Sequence, residues 1–257
     1  MRLHNAGTYE LNMNFNIKSL YKEFGEEILT LHKFLNKSLI PIDNRCTSLL
    51  DYEMLYVLVR TLQPKFICEF SPFAGWTTSA LLYALEQYKD GEIHSFDLKD
   101  KCSKNLISLY DGFCDNNWKF HSGDVRNSFD FIISNADFIL IDCDHSYEFA
   151  LDYIDMVFKP LLNRNKPTWF WIHDIVYHKL EKKCEGKSER RAVLKFLEDN
   201  DIEFYTNTKK TKYIKDGFKY INKRGEIVSL RKKLNIKDKL RVGVKQEESA
   251  VVFKLGN

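Results

Sequence analysis

The 257-residue sequence has no run approaching the ~18 apolar residues that a membrane-spanning helix needs. Its start, Met1 to Leu11, is polar and lacks the apolar stretch of a secretory signal, which predicts a cytoplasmic chain. None of its six cysteines (Cys46, Cys68, Cys102, Cys114, Cys143, Cys184) stands in a Cys-x-x-Cys pair. That spacing argues against a zinc ribbon or a disulfide framework and for reduced core or surface thiols. There is no internal repeat and no low-complexity tract. No Gly-x-Gly-x-x-Gly follows a strand-like run, which weighs against a dinucleotide cofactor held by its pyrophosphate.

With 44% hydrophobic and 14% aromatic residues, the chain can build one large α/β domain with additions. Its net charge of +3 conceals an uneven distribution. Residues 209–245 hold fourteen Lys/Arg against Asp216, Glu226 and Asp238, so this segment carries +11 and the remainder −8. A basic appendage sits on an acidic body.

The most informative stretch is Phe66-Ile-Cys-Glu-Phe-Ser-Pro-Phe-Ala-Gly-Trp-Thr-Thr78. A short apolar run bounded by Pro64 and Pro72 reads as a buried parallel strand, and Trp76 to Tyr88 reads as a helix with Leu81, Leu82, Leu85 and Tyr88 on one side. A strand entering a helix through a tight turn points backbone N–H groups and a positive dipole end at any ligand on the sheet's carboxyl edge. Gly75 is expected to let backbone approach that ligand.

Around this unit the chain alternates. Residues 13–37 and Ser48 to Leu62 read as helices, the first packing either on the core or on a second copy of the chain. Strands are expected at 92–97, 118–121, 138–142, 168–174, 202–206 and 249–255. Helices are expected at 101–110, 147–158 and 188–198, with a break between Pro160 and Pro167. The pattern predicts an α/β, Rossmann-like, seven-stranded and mostly parallel sheet, with helices on both faces and an antiparallel last strand. Residues 1–47 form an N-terminal helical extension of the domain at 48–257, whose basic insertion at about 209–245 would overhang the site.

Five acids, Glu69, Asp97, Asp124, Asp142 and Asp174, fall at strand ends or just beyond. Asp97 lies 22 residues past Gly75, near the ~20-residue interval at which a second-strand acid holds ribose hydroxyls. Glu69 suits a cationic amino group better than a phosphate. An adenosine ligand without a pyrophosphate fits this set.

At these residues the sequence resembles the class I S-adenosylmethionine methyltransferases. Glu69-Phe-Ser-Pro-Phe-Ala-Gly75 is similar to their first motif, Phe96-Asp97 to the ribose-binding second, and Gly123-Asp124 to the third, whose acid contacts the adenine edge. Ile141-Asp-Cys-Asp-His-Ser-Tyr147 with Ile172-His-Asp174 resembles the D-x-D-H-S-Y and H-D signatures of methyltransferases acting on sugars and secondary metabolites. The resemblance implies S-adenosylmethionine as cofactor, held by Glu69, Ser71, Gly75, Thr77, Asp97, Asp124 and Asp142. It also implies a setting in surface-polysaccharide or natural-product biosynthesis.

A hydroxyl acceptor must lose a proton whose pKa is near that of water, ~15.7, so a base or a metal is needed. His145 is the candidate general base, with Asp142 beside it as the second catalytic residue. Asp142, His173 and Asp174 are a candidate Mg²⁺ or Mn²⁺ set, and metal dependence stays open because His173 departs from the usual pair of acids. Tyr147 reads as packing. The +11 segment favours a small anionic acceptor such as a phosphate ester or nucleotide-linked sugar, although it also suits a solvated loop or an oligomer contact. Neither an Asn-Pro-Pro-Tyr run nor a lysine-rich tetrad is present to favour nucleic acid. N-methylation of a small phosphorylated amine and non-catalytic adenosyl binding are the competing readings.

Overall fold

The structure is a computed structural model that describes residues 17–38, 49–110, 112–175, 187–206, 219–221, 227–229 and 250–256. Its centre is a seven-stranded sheet built from β1 (Phe66–Phe70), β2 (Glu92–Asp97), β3 (Trp118–Ser122), β4 (Phe138–Ile141), β5 (Thr168–Ile172), β6 (Phe204–Thr206) and β9 (Val251–Leu255). The strand order is β3-β2-β1-β4-β5-β9-β6, with β9 antiparallel to both neighbours and the other pairs parallel. This is the predicted sheet. Residues along each central strand alternate between two apolar layers: Ile67, Phe138 and Leu140 belong to one, and Cys68, Phe70, Ile139 and Ile141 to the other.

Helices α1 (Ile17–Ser38), α2 (Leu49–Leu62) and α3 (Trp76–Tyr88) cover the first face. Phe24, Ile28, Leu31 and Leu35 of α1 are buried in the same cluster as α2 and α3, so α1 packs on the core. The reading of α3 as one-sided needs correction. Trp76 through Leu82, with Ala84 and Leu85, are all buried, because α2 packs over the side that a two-layer arrangement would leave exposed. The helix is sandwiched, and its apolar residues therefore do not form a single stripe.

The second face carries α6 (Phe129–Asn135), α7 (Tyr147–Tyr153) and α9 (Glu189–Asp199). Helix α7 runs on through a π-helical turn (Ile154–Phe158) into α8 (Lys159–Leu162). The helix runs past Pro160 to Leu162, so the break expected between Pro160 and Pro167 falls at residues 163–167. Pro160 falls in the first turn of α8 directly after the π turn, where the slip in hydrogen-bond register accommodates a residue without an N–H. Three further short helical pieces were not expected from the sequence: α5 (Cys114–Asn117), the 3₁₀ turn Val125–Ser128 and α6. Phe-Asp-Phe-Ile-Ile-Ser-Asn is rich in β-branched and aromatic residues and has no helical periodicity of useful length; burial of Phe129 and Ile132 against the sheet decides its conformation. Helix α4 (Ser103–Leu109) lies close to its predicted place.

Within the basic segment only the hairpin β7 (Lys219–Ile221) and β8 (Ile227–Ser229) is described, and β7 approaches α1. The expected lid otherwise lies outside the described residues, as do Cys46, Cys184 and residues 13–16. Among the described residues, Cys68, Cys102, Cys114 and Cys143 are free thiols, and no helix is long and apolar enough to cross a membrane.

Candidate active site

The sheet order reverses between β1 and β4, which opens a crevice beyond their carboxyl ends. Pairing aligns the residues that follow each strand. Ser71 N donates to Phe96 O at 2.7 Å, Gly123 N to Asp97 O at 2.9 Å, Asp142 N to Phe70 O at 3.3 Å and His173 N to Ile141 O at 2.9 Å. Ser71, Asp97, Gly123, Asp142 and His173 thus line one edge.

The turn after β1 is unusual in its backbone. Ser71, Phe73 and Gly75 have φ of 63°, 48° and 91°, so two side-chain-bearing residues adopt the left-handed conformation that glycine takes at little cost. The turn is tied to Asp97, whose Oδ2 accepts from Phe73 N at 3.3 Å and lies 3.5 Å from Ser71 Oγ. The Lys101 ammonium stands 4.6 Å over the Phe73 ring. Gly75 is also closely packed. A Cβ there would meet Leu106 at 3.1 Å and Cys102 Cβ at 3.2 Å, so the glycine admits the Cys102–Leu106 segment against α3.

Two of the five predicted acids are committed elsewhere. Glu69 is fully buried under α3. Its carboxylate accepts from Thr77 Oγ1, from Thr78 Oγ1 at 2.7 Å and from Ser95 Oγ at 2.6 Å, while Trp118 Nε1 donates to Ser95 Oγ at 2.9 Å. Burial raises the Glu69 carboxyl and the hydroxyl donors only partly offset it. Glu69 and Thr77, both expected to touch the cofactor, therefore face each other inside the first layer. The alternation of β1 explains this, because Ile67 and Glu69 point to the face that α3 covers. Asp124 caps the 3₁₀ turn through Arg126 N at 3.0 Å and pairs with the Arg126 guanidinium, which also reaches Asp152 at 3.1 Å. That pairing holds Asp124 below the ordinary carboxylate range and occupies the oxygens expected at an adenine edge.

The acids after β4 and β5 have different partners. Asp142 Oδ1 lies 3.2 Å from His173 Nδ1 and 3.8 Å from His145 Nε2, and His173 Nδ1 lies 3.5 Å from Asp174 Oδ1. Burial alone would raise Asp142, but the charge and hydrogen bond of His173, with the charge of His145, outweigh it and hold the group below its ordinary value. Asp174 has φ of 52°, a strained backbone for a side-chain-bearing residue. His145 sits in the loop before α7, which Ser146 caps by accepting from Phe149 N at 3.2 Å. Burial favours the neutral ring of His145, yet the hydrogen bond and charge of Glu189, then the charges of Asp142 and Asp174, raise its pKa.

Glu189 is the residue that sequence reasoning missed. Only 3% exposed, it accepts from His145 Nδ1 at 2.7 Å and from the Tyr153 hydroxyl at 2.9 Å. It follows Ser188, which caps α9 by accepting from Arg191 N at 3.3 Å. A Ser-Glu pair at a helix start is so common a pattern that it carries no signal of a second role.

The candidate metal residues Asp142, His173 and Asp174 do come together. Their arrangement, however, places the His173 ring nitrogen against both carboxylates, and among the described residues no group of three or more His, Cys, Asp or Glu side chains is disposed to hold a metal ion. An imidazole takes up the acids that a hard cation would use. The donor set does not fit Mg²⁺ or Mn²⁺ in this geometry.

The strand order, the crevice at β1 and β4, and the acids lining it define a class I methyltransferase fold. Residues 72–175 match the model of a methyltransferase domain. Solved structures agree on the fold. The O-methyltransferase TomG from Streptomyces achromogenes, involved in tomaymycin synthesis and bound to SAM, superposes with a TM-score of 0.53 at 12% identity, over 93% of this chain and 96% of that one. An O-methyltransferase from Bacillus cereus in complex with SAH gives 0.53 at 15% identity, over 89% and 90% of the two chains. A SAH-bound Podospora anserina methyltransferase gives 0.53 at 13%, over 95% and 97%. No curated protein matches the chain in sequence.

Proposed function

We propose that this chain transfers a methyl group from S-adenosylmethionine to an oxygen of a small sugar-like or anionic acceptor. The observation that carries the reading is one strand edge on which the half-buried acids Asp97 and Asp142 flank the β1 turn while His145 stands 3.8 Å from Asp142. Asp97 suits the ribose hydroxyls and Asp142, held ionised, suits the cationic amino-acid end. When bound, the cofactor supplies a methyl group already activated for displacement from sulfur. His145 Nε2 accepts the proton of the acceptor hydroxyl as the O–C bond forms and the S–C bond breaks, leaving S-adenosylhomocysteine and a methyl ether. The raised pKa of His145 makes it a stronger base once neutral, so turnover should climb with pH until the ring is deprotonated.

No step passes through a divalent cation. The +11 segment at 209–245 supports an anionic acceptor by charge alone, and surface-polysaccharide or natural-product tailoring is the setting in which such acceptors arise. To test the reading, the purified chain is incubated with S-adenosylmethionine and a panel of sugar phosphates, nucleotide sugars and neutral phenols, with and without EDTA. The expected result is S-adenosylhomocysteine formed together with a methylated phosphate- or nucleotide-bearing acceptor at a rate that EDTA leaves unchanged. Methylation of nitrogen, or turnover abolished by EDTA and restored by Mg²⁺, would overturn it.

A further inference from the structure

The site holds a buried acid that the methyl-transfer scheme does not use. Glu189 enters from α9, 44 residues beyond His145 in sequence, and both of its oxygens are engaged: Oε2 by His145 Nδ1 at 2.7 Å and Oε1 by the Tyr153 hydroxyl at 2.9 Å. A carboxylate can only accept, so at this contact Nδ1 carries the hydrogen. The neutral ring must then keep its lone pair on Nε2, the nitrogen that faces Asp142.

We infer that Glu189 is the positioning residue of this site: it locks His145 in the Nδ1–H tautomer and aims Nε2 into the crevice as the proton acceptor. The inference rests on the reading of His145 as the base. Tyr153 is fully buried on α7 and fixes the other Glu189 oxygen, so the carboxylate cannot rotate away from the imidazole without breaking a buried hydrogen bond. The loop carrying His145 is itself held by the Ser146 cap. Ring and carboxylate therefore each have a second anchor, and the hydrogen bond between them sets the tautomer rather than merely filling space.

Glu189→Gln separates positioning from packing. Glutamine is nearly isosteric and its amide oxygen can still accept from Tyr153, which leaves the NH₂ group to donate toward Nδ1. The ring would then move its proton to Nε2 and lose the acceptor. The test uses the full-length chain and needs no acceptor substrate: long-range ¹H–¹⁵N correlation spectra of the imidazoles, with the His145 signals assigned from His145→Ala, recorded at a pH where the ring is neutral. The wild type should show the Nδ1–H tautomer, Glu189→Gln the Nε2–H tautomer, and Glu189→Asp a return toward the wild-type pattern. Tyr153→Phe, which removes a buried hydrogen bond to the same carboxylate, should leave the tautomer as in the wild type. A wild-type Nε2–H ring, or a Glu189→Gln spectrum equal to the wild type, would overturn the inference. So would a Tyr153→Phe spectrum as altered as that of Glu189→Gln, because the effect would then be structural. S-adenosylhomocysteine binding, measured on the same samples, keeps the two levels apart: its absence in the wild type defeats the methyltransferase reading, while the tautomer result judges Glu189 by itself. With an acceptor in hand, Glu189→Gln should lower kcat by about 10²-fold or more, with KM changed little.

Discussion

Glu69 and Asp142 stand on neighbouring strands, and the structure uses them in opposite ways. Glu69 lies within β1, faces α3 and is saturated by three hydroxyl donors that cannot change charge near neutral pH. Asp142 lies one step past β4, is half-buried at the crevice, and has the imidazoles of His145 and His173 as partners. The same division separates the halves of the edge: Asp124 is held by Arg126, a permanent cation, whereas Glu189 meets His145. An acid bound to fixed donors or a fixed charge serves the fold. Under the proposed function, the acids of this edge that meet a histidine, Asp142 and Glu189, are the ones placed for chemistry.

The sharpest way to break this comparison is to remove the titratable partner. His145→Ala should lower turnover by about 10²–10⁴-fold while S-adenosylhomocysteine binding persists, as measured by steady-state rates and calorimetry. Glu69→Leu should do the reverse. It strands three buried hydroxyls and should cost about 3 kcal/mol of stability in urea unfolding, with the activity of the folded fraction largely kept. Next in size is Asp97→Ala, which removes the acceptor of the Phe73 N–H and the proposed ribose contact; cofactor affinity should fall by about 10–100-fold.

The pH dependence of stability sharpens the comparison further. His145 has its pKa raised, so its contribution is complete below the ordinary imidazole value of 6.5 and is lost as pH rises through the higher folded value. Asp142 has its pKa lowered, so its contribution is present above the ordinary carboxylate value of 3.8 and is lost as pH falls through the lower folded value. The difference in melting temperature between wild type and His145→Ala should therefore be largest between these values and shrink on the alkaline side. The smallest effect belongs to Asp124→Ala. Its solvent-exposed pair with Arg126 should leave stability nearly unchanged in urea unfolding, and turnover should barely change.

Much of this molecule was legible in its sequence. The strands from Phe66 to Phe70 and from Glu92 to Asp97, and the helix from Trp76 to Tyr88, stand where apolar runs and turns placed them, because a buried parallel strand is a continuous apolar run with clear ends. Asp142, His145, His173 and Asp174 come together, and Asp97 lies on the same strand edge. What a linear reading could not supply was direction and partnership. The side-chain orientation of Glu69 depends on which face α3 covers. The commitment of Asp124 depends on Arg126 two residues away, and the role of Glu189 on a helix 44 residues downstream folding back over the loop of His145. Helix α6 was invisible because packing, and not propensity, makes it a helix.

The central claim is that the crevice between Asp97 and Asp142 is a cofactor site, and calorimetric titration of the full-length protein with S-adenosylhomocysteine tests it most directly, with Asp97→Ala and Glu69→Gln alongside. The account predicts saturable one-site binding to the wild type, a clear loss of affinity in Asp97→Ala, and affinity close to wild type in Glu69→Gln. No binding to the wild type, or binding that Asp97→Ala leaves unchanged, would contradict it.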